Sequence, residues 1–157
     1  MTAPNRARSV DVLGRPERLE PGDSQGFLLW RATLRWQRLM TATLRPFGLT
    51  HVQFVLLASL WWLTEAAGET PSQRRLAEHA GTDPMMTSQV LRALEVRGLV
   101  SRAPHPTDAR VRRLAIGPEG AILAKRAIIA VEAADAQFFA PAIGEQPLIA
   151  FLRLLAG

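Results

Sequence analysis

Two short helical patterns separated by one tight turn lie between residues 72 and 98, and this spacing restricts the fold more than any other feature of the chain. Ser72 is a suitable N-cap for the first helix, and Gly81 supplies the turn after it. Pro84 suits the first turn of the second helix, where its missing N–H needs no partner, and Gly98 ends that helix. Two short helices joined in this way predict a helix-turn-helix.

The hydrophobic pattern changes from helical to alternating after this motif. Residues 99–103 and 111–116 each predict a short strand, and residues 104–110 between them are rich in proline and predict a loop. A β-hairpin that directly follows a helix-turn-helix is a wing. The predicted fold class is therefore mainly α with a small β-hairpin wing, a winged helix-turn-helix flanked by N-terminal and C-terminal dimerisation helices.

The segments around the motif complete one structural domain. Residues 1–22 are rich in proline, glycine and arginine without a helical period, which predicts a flexible N-terminal arm. Residues 23–48 predict a dimerisation helix, residues 49–117 the winged helix-turn-helix, and residues 118–157 two C-terminal dimerisation helices. Their apolar stripes are longer than a small winged domain needs to cover itself, which favours a homodimer.

The overall composition bounds the class of protein. The chain has 157 residues, of which 48% are hydrophobic, and this is an ordinary balance for one globular domain. Its N-terminus lacks the apolar stretch of a secretory signal, and its longest apolar run, residues 54–63, is too short to cross a membrane. We therefore expect a cytoplasmic protein without a membrane partner.

The sequence offers little for catalysis or for metal binding. There is no cysteine, and His51, His79 and His105 are too scattered to predict a zinc site. No phosphate-binding glycine loop, nucleophile elbow or close pair of carboxylates on a buried face is recognisable. We expect no enzyme activity, no cofactor and no bound metal.

Positive charge is concentrated in the second helix of the motif and in the wing. The net charge of the chain is +5, and residues 92–113 contain six arginines and two acids, so that segment alone carries +4. Such a concentration is typical of a polyanion site, because each phosphate contact releases condensed counterions. A solvated charged face would have the same composition, so the charge alone leaves both interpretations open.

Several short motifs, in this order and spacing, resemble the MarR-type (multiple antibiotic resistance regulator) winged-helix family over residues 49–120. The matching residues are Leu49-Thr50, Gln53-Phe54, Leu76-Ala77, Leu91-x-x-Leu94-Glu95-x-x-Gly98-Leu99-Val100, Pro106-x-Asp108-x-Arg110 and Glu119-Gly120. The resemblance implies a homodimeric transcriptional regulator, expected to be a repressor, on a pseudo-palindromic operator in double-stranded DNA. The alternative is a winged-helix protein-interaction module without a specific operator.

The exposed N-terminal face of the second helix of the motif is expected to enter the major groove. Gln89 can pair bidentately with an adenine and Met85 can contact a thymine methyl group, whereas Met86 is expected to be buried. Thr87 is expected near a phosphate or a base. The residues predicted to contact DNA from this helix are Pro84, Met85, Thr87, Ser88, Gln89 and Arg92.

The wing is expected to supply further DNA contacts. The family resemblance implies that Arg110 enters the minor groove and that Asp108 orients it, and an arginine suits the negative potential of a narrow groove. Arg112 is expected to meet a phosphate, because it and Arg113 point to opposite faces of one strand. Arg74, at the start of the first helix of the motif, is a further predicted phosphate contact.

Aromatic residues are concentrated in the first two predicted helices. In the family that the chain resembles, the first, second and fifth helices border an effector pocket, and the predicted ligand contacts are Trp30, Trp36, His51 and Trp61. A buried indole N–H needs a partner, so these side chains are candidates to line a site for a small aromatic effector. Core packing or a dimer interface is the simpler explanation of the same spacing.

Overall fold

The structure is a computed structural model that describes residues 24–104, 112–141 and 145–156. Within these ranges the elements in chain order are α1 (Gln25–Leu44), α2 (His51–Trp61), α3 (Gln73–Ala80), α4 (Pro84–Val96), β1 (Val100–Pro104), β2 (Arg112–Ile116), α5 (Pro118–Phe139) and α6 (Glu145–Ala156). β1 and β2 form an antiparallel hairpin in which Val100 pairs with Ile116 and Pro104 with Arg112. The predicted winged helix-turn-helix, made by α3, α4 and this hairpin, is confirmed.

The chain divides after Gln37 into two units. The predicted N-terminal arm, residues 1–22, lies outside the described residues. No single helix in the described ranges is long and apolar enough to span a membrane, and the helical segments on either side of Gly48 would pass that test only as a bent pair.

Side-chain caps fix where the helices of the motif begin. Thr50 and Gln53 form a capping box before α2, in which each side-chain oxygen accepts a hydrogen bond from the backbone N–H of the other residue, at 3.3 and 3.0 Å. Ser72 caps α3, and Asp83, rather than the neighbouring Thr82, caps α4. These caps satisfy N–H groups that have no partner within the helix. The sequence predicts caps at Thr50, at Ser72 and at either Thr82 or Asp83, so the structure agrees with all three.

Glycines in the left-handed conformation separate the short elements. Gly81 has a φ of 63° and turns the chain from α3 into α4, and Gly98 has a φ of 69° between α4 and β1. An L residue pays a steric cost at such angles, so both positions favour glycine. The angle between the two helices of the motif therefore depends on a residue without a side chain.

The core of the motif surrounds α2. Its large side chains without solvent exposure, or nearly so, are Leu56, Leu57, Leu60, Leu63, Leu76, Leu91, Leu94 and Leu114, which come from α2 and the turn after it, α3, α4 and β2. α2 contacts α3, α4, α5 and β2. Each fully buried leucine contributes about 1.5–3 kcal/mol, so this helix is the centre of stability.

The nearly continuous apolar pattern after Thr50 predicts one regular helix to about Glu65, but the end of α2 differs from this prediction. Residues Trp62–Ala66 form a π-helical turn instead. Thr64 Oγ1 donates to the carbonyl oxygens of Leu60 at 2.8 Å and Trp61 at 3.1 Å. The hydroxyl competes there with backbone N–H groups for the same acceptors, which accounts for the wider turn.

The sequence predicts an apolar stripe along α5 at Ile122, Leu123, Ala127, Ile128, Val131 and Ala134. Most of this stripe faces the core: Ala127, Val131 and Ala134 are buried, whereas Ile122 is exposed. α5 packs against α2, and small residues let two helix axes approach closely. Ile122 is the member of the predicted stripe that is turned away from this contact.

Candidate nucleic-acid interface

α4 has one buried face and one open face. Leu91 and Leu94 are fully buried on the first. The exposed residues of the helix are Pro84, Met85, Met86, Gln89, Arg92, Ala93 and Val96. Ser88 is half-buried between the two faces. Every residue predicted to contact DNA from this helix is thus at least partly exposed, with the exception of Thr87.

Thr87 is predicted to lie near a phosphate or a base, and the structure contradicts this prediction. Its side chain is fully buried. Thr87 Oγ1 donates to the Asp83 carbonyl oxygen at 2.7 Å and shares a hydrogen bond of 2.8 Å with Thr82 Oγ1. Thr87 precedes Leu91 by four residues and therefore lies on the same, buried face of the helix. Its hydroxyl joins the turn of the motif to α4 and is not available to DNA.

The first turn of α4 carries both methionines on its surface. Met85 is 72% exposed, as predicted. Met86, expected in the core, is 39% exposed, so that expectation is wrong. The first buried position of α4 is Thr87, and both methionines precede it. The N-terminal tip of the helix is therefore apolar on its open side, apart from the Asp83 cap.

Arg74 extends into solvent from the first turn of α3, with 90% of its side chain exposed. Its Nε donates to Glu78 Oε1 at 2.7 Å, and this hydrogen bond, with the charge of Glu78, raises the pKa of Arg74. Arg75 instead makes two hydrogen bonds to Glu69, at 3.1 and 3.0 Å. Of the two neighbouring arginines, Arg74 is therefore the more exposed, because 43% of the Arg75 side chain is exposed.

A cleft of about 450 Å³ separates α3 from the start of α4. Its lining residues are Gln73, Arg74, Ala77, Glu78, Gly81, Thr82 and Pro84. Two predicted DNA contacts, Arg74 and Pro84, thus lie on one concave edge of the motif.

Three arginines of the basic segment, residues 92–113, differ in their surroundings. Arg92 lies on the open face of α4. Arg97 and Arg102 are hydrogen-bonded within the protein, to Gly48 and to Glu95 respectively. Arg97 and Arg102 thus already have acceptors within the protein, although Arg97 is exposed.

The predicted contacts at the tip of the wing lie outside the described residues. This applies to Asp108 and Arg110 entirely, and to the side chain of Arg112. The backbone of Arg112 begins β2 and pairs with Pro104, next to the loop. Arg112 is thus placed at the loop end of the hairpin.

The predicted ligand contacts are distributed over α1 and α2. Trp30 is exposed and Trp36 is half-buried in the unit that ends at Gln37. His51 and Trp61 are the first and last residues of α2, so they are about 15 Å apart along the helix axis. α2 does not bring these two side chains into one small site. Burial lowers the pKa of His51, an effect that the negative charge of Asp135 opposes.

Trp61 has an unusual environment among the four candidates. Its Nε1 is buried, and no hydrogen-bond partner for it lies among the described residues. Lys125 Nζ, from α5, lies 5.8 Å from the centroid of the Trp61 ring. A buried indole N–H without an acceptor is unfavourable, so a bound acceptor would be stabilised there. The sequence pointed to Trp61 but not to Lys125, because their contact depends on how α2 packs against α5.

Known proteins resemble this chain over most of its length. A sequence model of the MarR family matches residues 49–111. The uncharacterised HTH-type transcriptional regulator YdcH of Bacillus subtilis (strain 168) is 42% identical over 135 residues, which cover 86% of this chain and 91% of YdcH. The HTH-type transcriptional repressor Rv2887 of Mycobacterium tuberculosis (strain ATCC 25618 / H37Rv) is 36% identical over 115 residues, which cover 73% of this chain and 79% of Rv2887.

Solved structures share the fold. CouR from Rhodococcus jostii RHA1, bound to p-coumaroyl-CoA, is 27% identical with a TM-score of 0.74, over 88% of this chain and 93% of CouR. The transcriptional repressor CouR bound to a 23-mer DNA duplex is 28% identical with a TM-score of 0.73, over 89% of this chain and 97% of that one. The fold and the open face of α4 define a winged-helix DNA-binding regulator. More narrowly, the chain belongs to the MarR family of transcriptional regulators.

Proposed function

We propose that this protein is a cytoplasmic transcriptional repressor that binds a pseudo-palindromic operator as a homodimer and is released by a small aromatic ligand. The observation that carries the proposal is the open face of α4, where Met85, Gln89 and Arg92 are exposed while the opposite face is buried. An α-helix fits the major groove, and its exposed N-terminal residues reach base edges. α4 is therefore the proposed recognition helix.

The proposed DNA contacts divide into base and phosphate contacts. Gln89 pairs with an adenine and Met85 contacts a thymine methyl group, with Pro84 and Ser88 beside them. The proposed phosphate contacts are Arg74, Arg92 and Arg112. In the wing, Arg110 enters the minor groove and Asp108 orients it. Thr87 has no direct role, because its side chain is buried.

Exposed apolar residues support a homodimer. They are Phe27, Leu28, Leu29 and Trp30 in α1, Ile122 and Ile129 in α5, and Ile149, Phe151 and Leu152 in α6. Exposed apolar clusters of this kind are typical of protein interfaces. A two-fold axis then requires operator half-sites about one helical turn, roughly 10 base pairs, apart. Sedimentation equilibrium of the full chain should give twice the monomer mass.

The proposed effector is an aromatic compound with a hydrogen-bond acceptor. Trp61 Nε1 is the donor without a partner, and Lys125 adds a positive charge beside the same ring. CouR, one of the relatives of known structure, was solved with p-coumaroyl-CoA, an aromatic compound that contains hydrogen-bond acceptors. The predicted ligand contacts at Trp30, Trp36 and His51 stay predictions and are no part of this proposed site.

Fluorescence anisotropy on duplexes selected from a random pool tests the DNA-binding proposal. Gln89→Ala and Arg110→Ala should each lower the affinity for the selected duplex by about tenfold. Each should also relax the base preference at one position of the operator. Arg112→Ala should lower the affinity for all duplexes alike. It should also reduce the salt slope, the dependence of log affinity on log salt concentration, by about one. The contact assignment is wrong if neither Gln89→Ala nor Arg110→Ala changes the affinity. Binding without salt dependence, or without preference over random duplex, would favour the protein-interaction module.

The same assay tests the effector, with p-coumaroyl-CoA as the probe. The probe should release the wild-type protein from its selected duplex. Trp61→Phe keeps the ring but removes the N–H, so it should raise the probe concentration needed for release. Trp62→Phe is the matched control, because Trp62 is its exposed neighbour. Equal effects of the two substitutions would exclude Trp61 as the donor.

A further inference from the structure

Two arginines of the basic segment connect the C-terminal end of α4 to other parts of the protein. Arg102 lies in β1 and is paired with Glu95 of α4. Arg97 is the C-cap of α4 and is bonded to Gly48, which precedes α2. The composition of the segment suggests a polyanion contact for both. Their positions suggest another role.

The Arg102 guanidinium joins three elements. Its Nε donates to Glu95 Oε2 at 2.7 Å, and its Nη1 donates to Gln73 Oε1 of α3 at 3.2 Å. The side chains of Arg102 and Glu95 are only 17% and 28% exposed. If Arg102 turned to a phosphate, it would leave the half-buried Glu95 carboxylate without this charged donor, which is unfavourable.

Arg97 connects α4 to the corner before α2. Its Nη1 donates to the Gly48 carbonyl oxygen at 2.8 Å, across 49 positions of sequence. Gly48 has a φ of 61°, an angle that favours glycine. Leu49, the next residue, is buried. The acceptor therefore belongs to a fixed turn, and the bond ties the end of α4 to it.

We propose that Arg97, Arg102 and Glu95 are positioning residues that hold the C-terminal end of the recognition helix, and that neither arginine binds a phosphate. This inference rests on the proposed function, because it assigns roles in DNA recognition. A two-stranded hairpin is marginally stable alone, so the wing needs an anchor such as Arg102. Base contacts require the helix and the wing to be held in a fixed relative position, whereas contacts to random duplex tolerate more movement.

Glu95→Ala gives the sharpest test, because electrostatics and positioning predict opposite signs. Removal of an acid makes the protein more positive and by itself strengthens DNA binding. Loss of the ion pair between Glu95 and Arg102, here called the clamp, should instead weaken binding to the selected duplex by about three- to tenfold. It should leave the affinity for random duplex unchanged or higher. The matched control is Glu78→Ala, which removes an acid from an exposed pair on α3 and should strengthen binding to both duplexes. Tighter binding of Glu95→Ala to the selected duplex would overturn the proposal.

The salt dependence of binding separates the two kinds of arginine. Arg92→Ala should lower the salt slope by about 0.9, as expected for one lost phosphate contact. Arg97→Ala should keep the wild-type slope while weakening the selected duplex by about threefold. A fall in slope for Arg97→Ala equal to that for Arg92→Ala would show that Arg97 is a phosphate contact.

Thermal unfolding separates failure of this inference from failure of the proposed function. If the wild-type protein shows no preference for any duplex, the proposed function is wrong. The clamp is then tested by Glu95→Gln, Arg102→Lys and the double variant, whose effects on stability should be non-additive. Additive effects would exclude a direct coupling. The same conservative variants replace Glu95→Ala in the binding assay if that protein does not fold.

Discussion

α2 packs against α4, yet the two helices differ in how much of their surface the core uses. α2 contacts α3, α4, α5 and β2, and Leu56, Leu57 and Leu60 are fully buried within it. α4 buries a single stripe and leaves the opposite side open. Residue types in α2 are thus restricted by packing. On the open face of α4 the core does not restrict them, so Met85 and Gln89 are available for the DNA contacts proposed above.

The N-caps of the two helices show the same difference. The cap of α2 is a neutral capping box. The cap of α4 is the Asp83 carboxylate, which accepts from the N–H groups of Met85 at 2.8 Å and Met86 at 3.0 Å. A negative charge stabilises a helix N-terminus, but it repels phosphate where that terminus approaches DNA. With α4 as the proposed recognition helix, we expect the Asp83 cap to stabilise the helix at some cost in affinity for DNA.

The largest effect expected from this comparison concerns stability. Leu60→Ala in α2 should lower the free energy of unfolding by about 2–5 kcal/mol, because it leaves a cavity in the core. Met85→Ala in α4 removes a side chain of similar size from the surface and should change it by less than about 0.5 kcal/mol. Urea denaturation followed by circular dichroism measures both. Similar losses in the two variants would contradict the distinction between the helices.

Thr87 tests where the boundary between the faces of α4 lies. Thr87→Val keeps the shape but removes the hydroxyl that bonds Thr82 and Asp83, so stability should fall by about 1–3 kcal/mol. The adjacent half-buried Ser88, changed to alanine, is the control and should have the smaller effect on stability. A loss of DNA affinity in Thr87→Val without a loss of stability would instead indicate that Thr87 contacts DNA.

Local signals made much of the fold predictable from the sequence. The caps at Thr50 and Ser72 and the turn at Gly81 involve residues only a few positions apart, and the structure confirms them. Met86 and Thr87 lie in environments that differ from the expected ones, because both belong to the first turn of α4. There the side that faces the core depends on how α3 and α4 cross, which the period of one helix does not determine.

The candidate site was predictable in its residue types but not in its partners. Charge composition groups Arg92, Arg97 and Arg102 together, although only the first lies on the open face of α4. The acceptor of Arg97 is the backbone carbonyl of Gly48, 49 positions away in the sequence. Every residue has such a carbonyl, so the sequence gives no sign of this contact. The π-helical turn after Trp61 was missed for a related reason, since Thr64 is compatible with a regular helix in many settings.

The caps give the next largest effect. Thr50→Ala should lower the free energy of unfolding by about 1 kcal/mol, because it breaks the capping box of α2. Asp83→Asn keeps a capping oxygen at α4. It should lower the free energy of unfolding by only a few tenths of a kcal/mol. It also removes a negative charge near the proposed DNA surface, so anisotropy should show tighter binding to all duplexes. Weaker binding of Asp83→Asn would mean that the carboxylate has a direct role in recognition.

The smallest effect is a pH dependence that involves α2 and not α4, since His51 lies in α2 and α4 contains no histidine. Burial lowers the pKa of His51 below its ordinary value of 6.5, so the folded protein favours the neutral ring. Below that value the unfolded chain binds more protons than the folded one, and stability falls as the pH drops through it. His51→Gln should flatten the change in Tm between about pH 8 and about pH 5. Asp135→Asn should steepen it, because the charge of Asp135 opposes the effect of burial. If Asp135→Asn flattened the profile instead, burial would not be the dominant influence on His51.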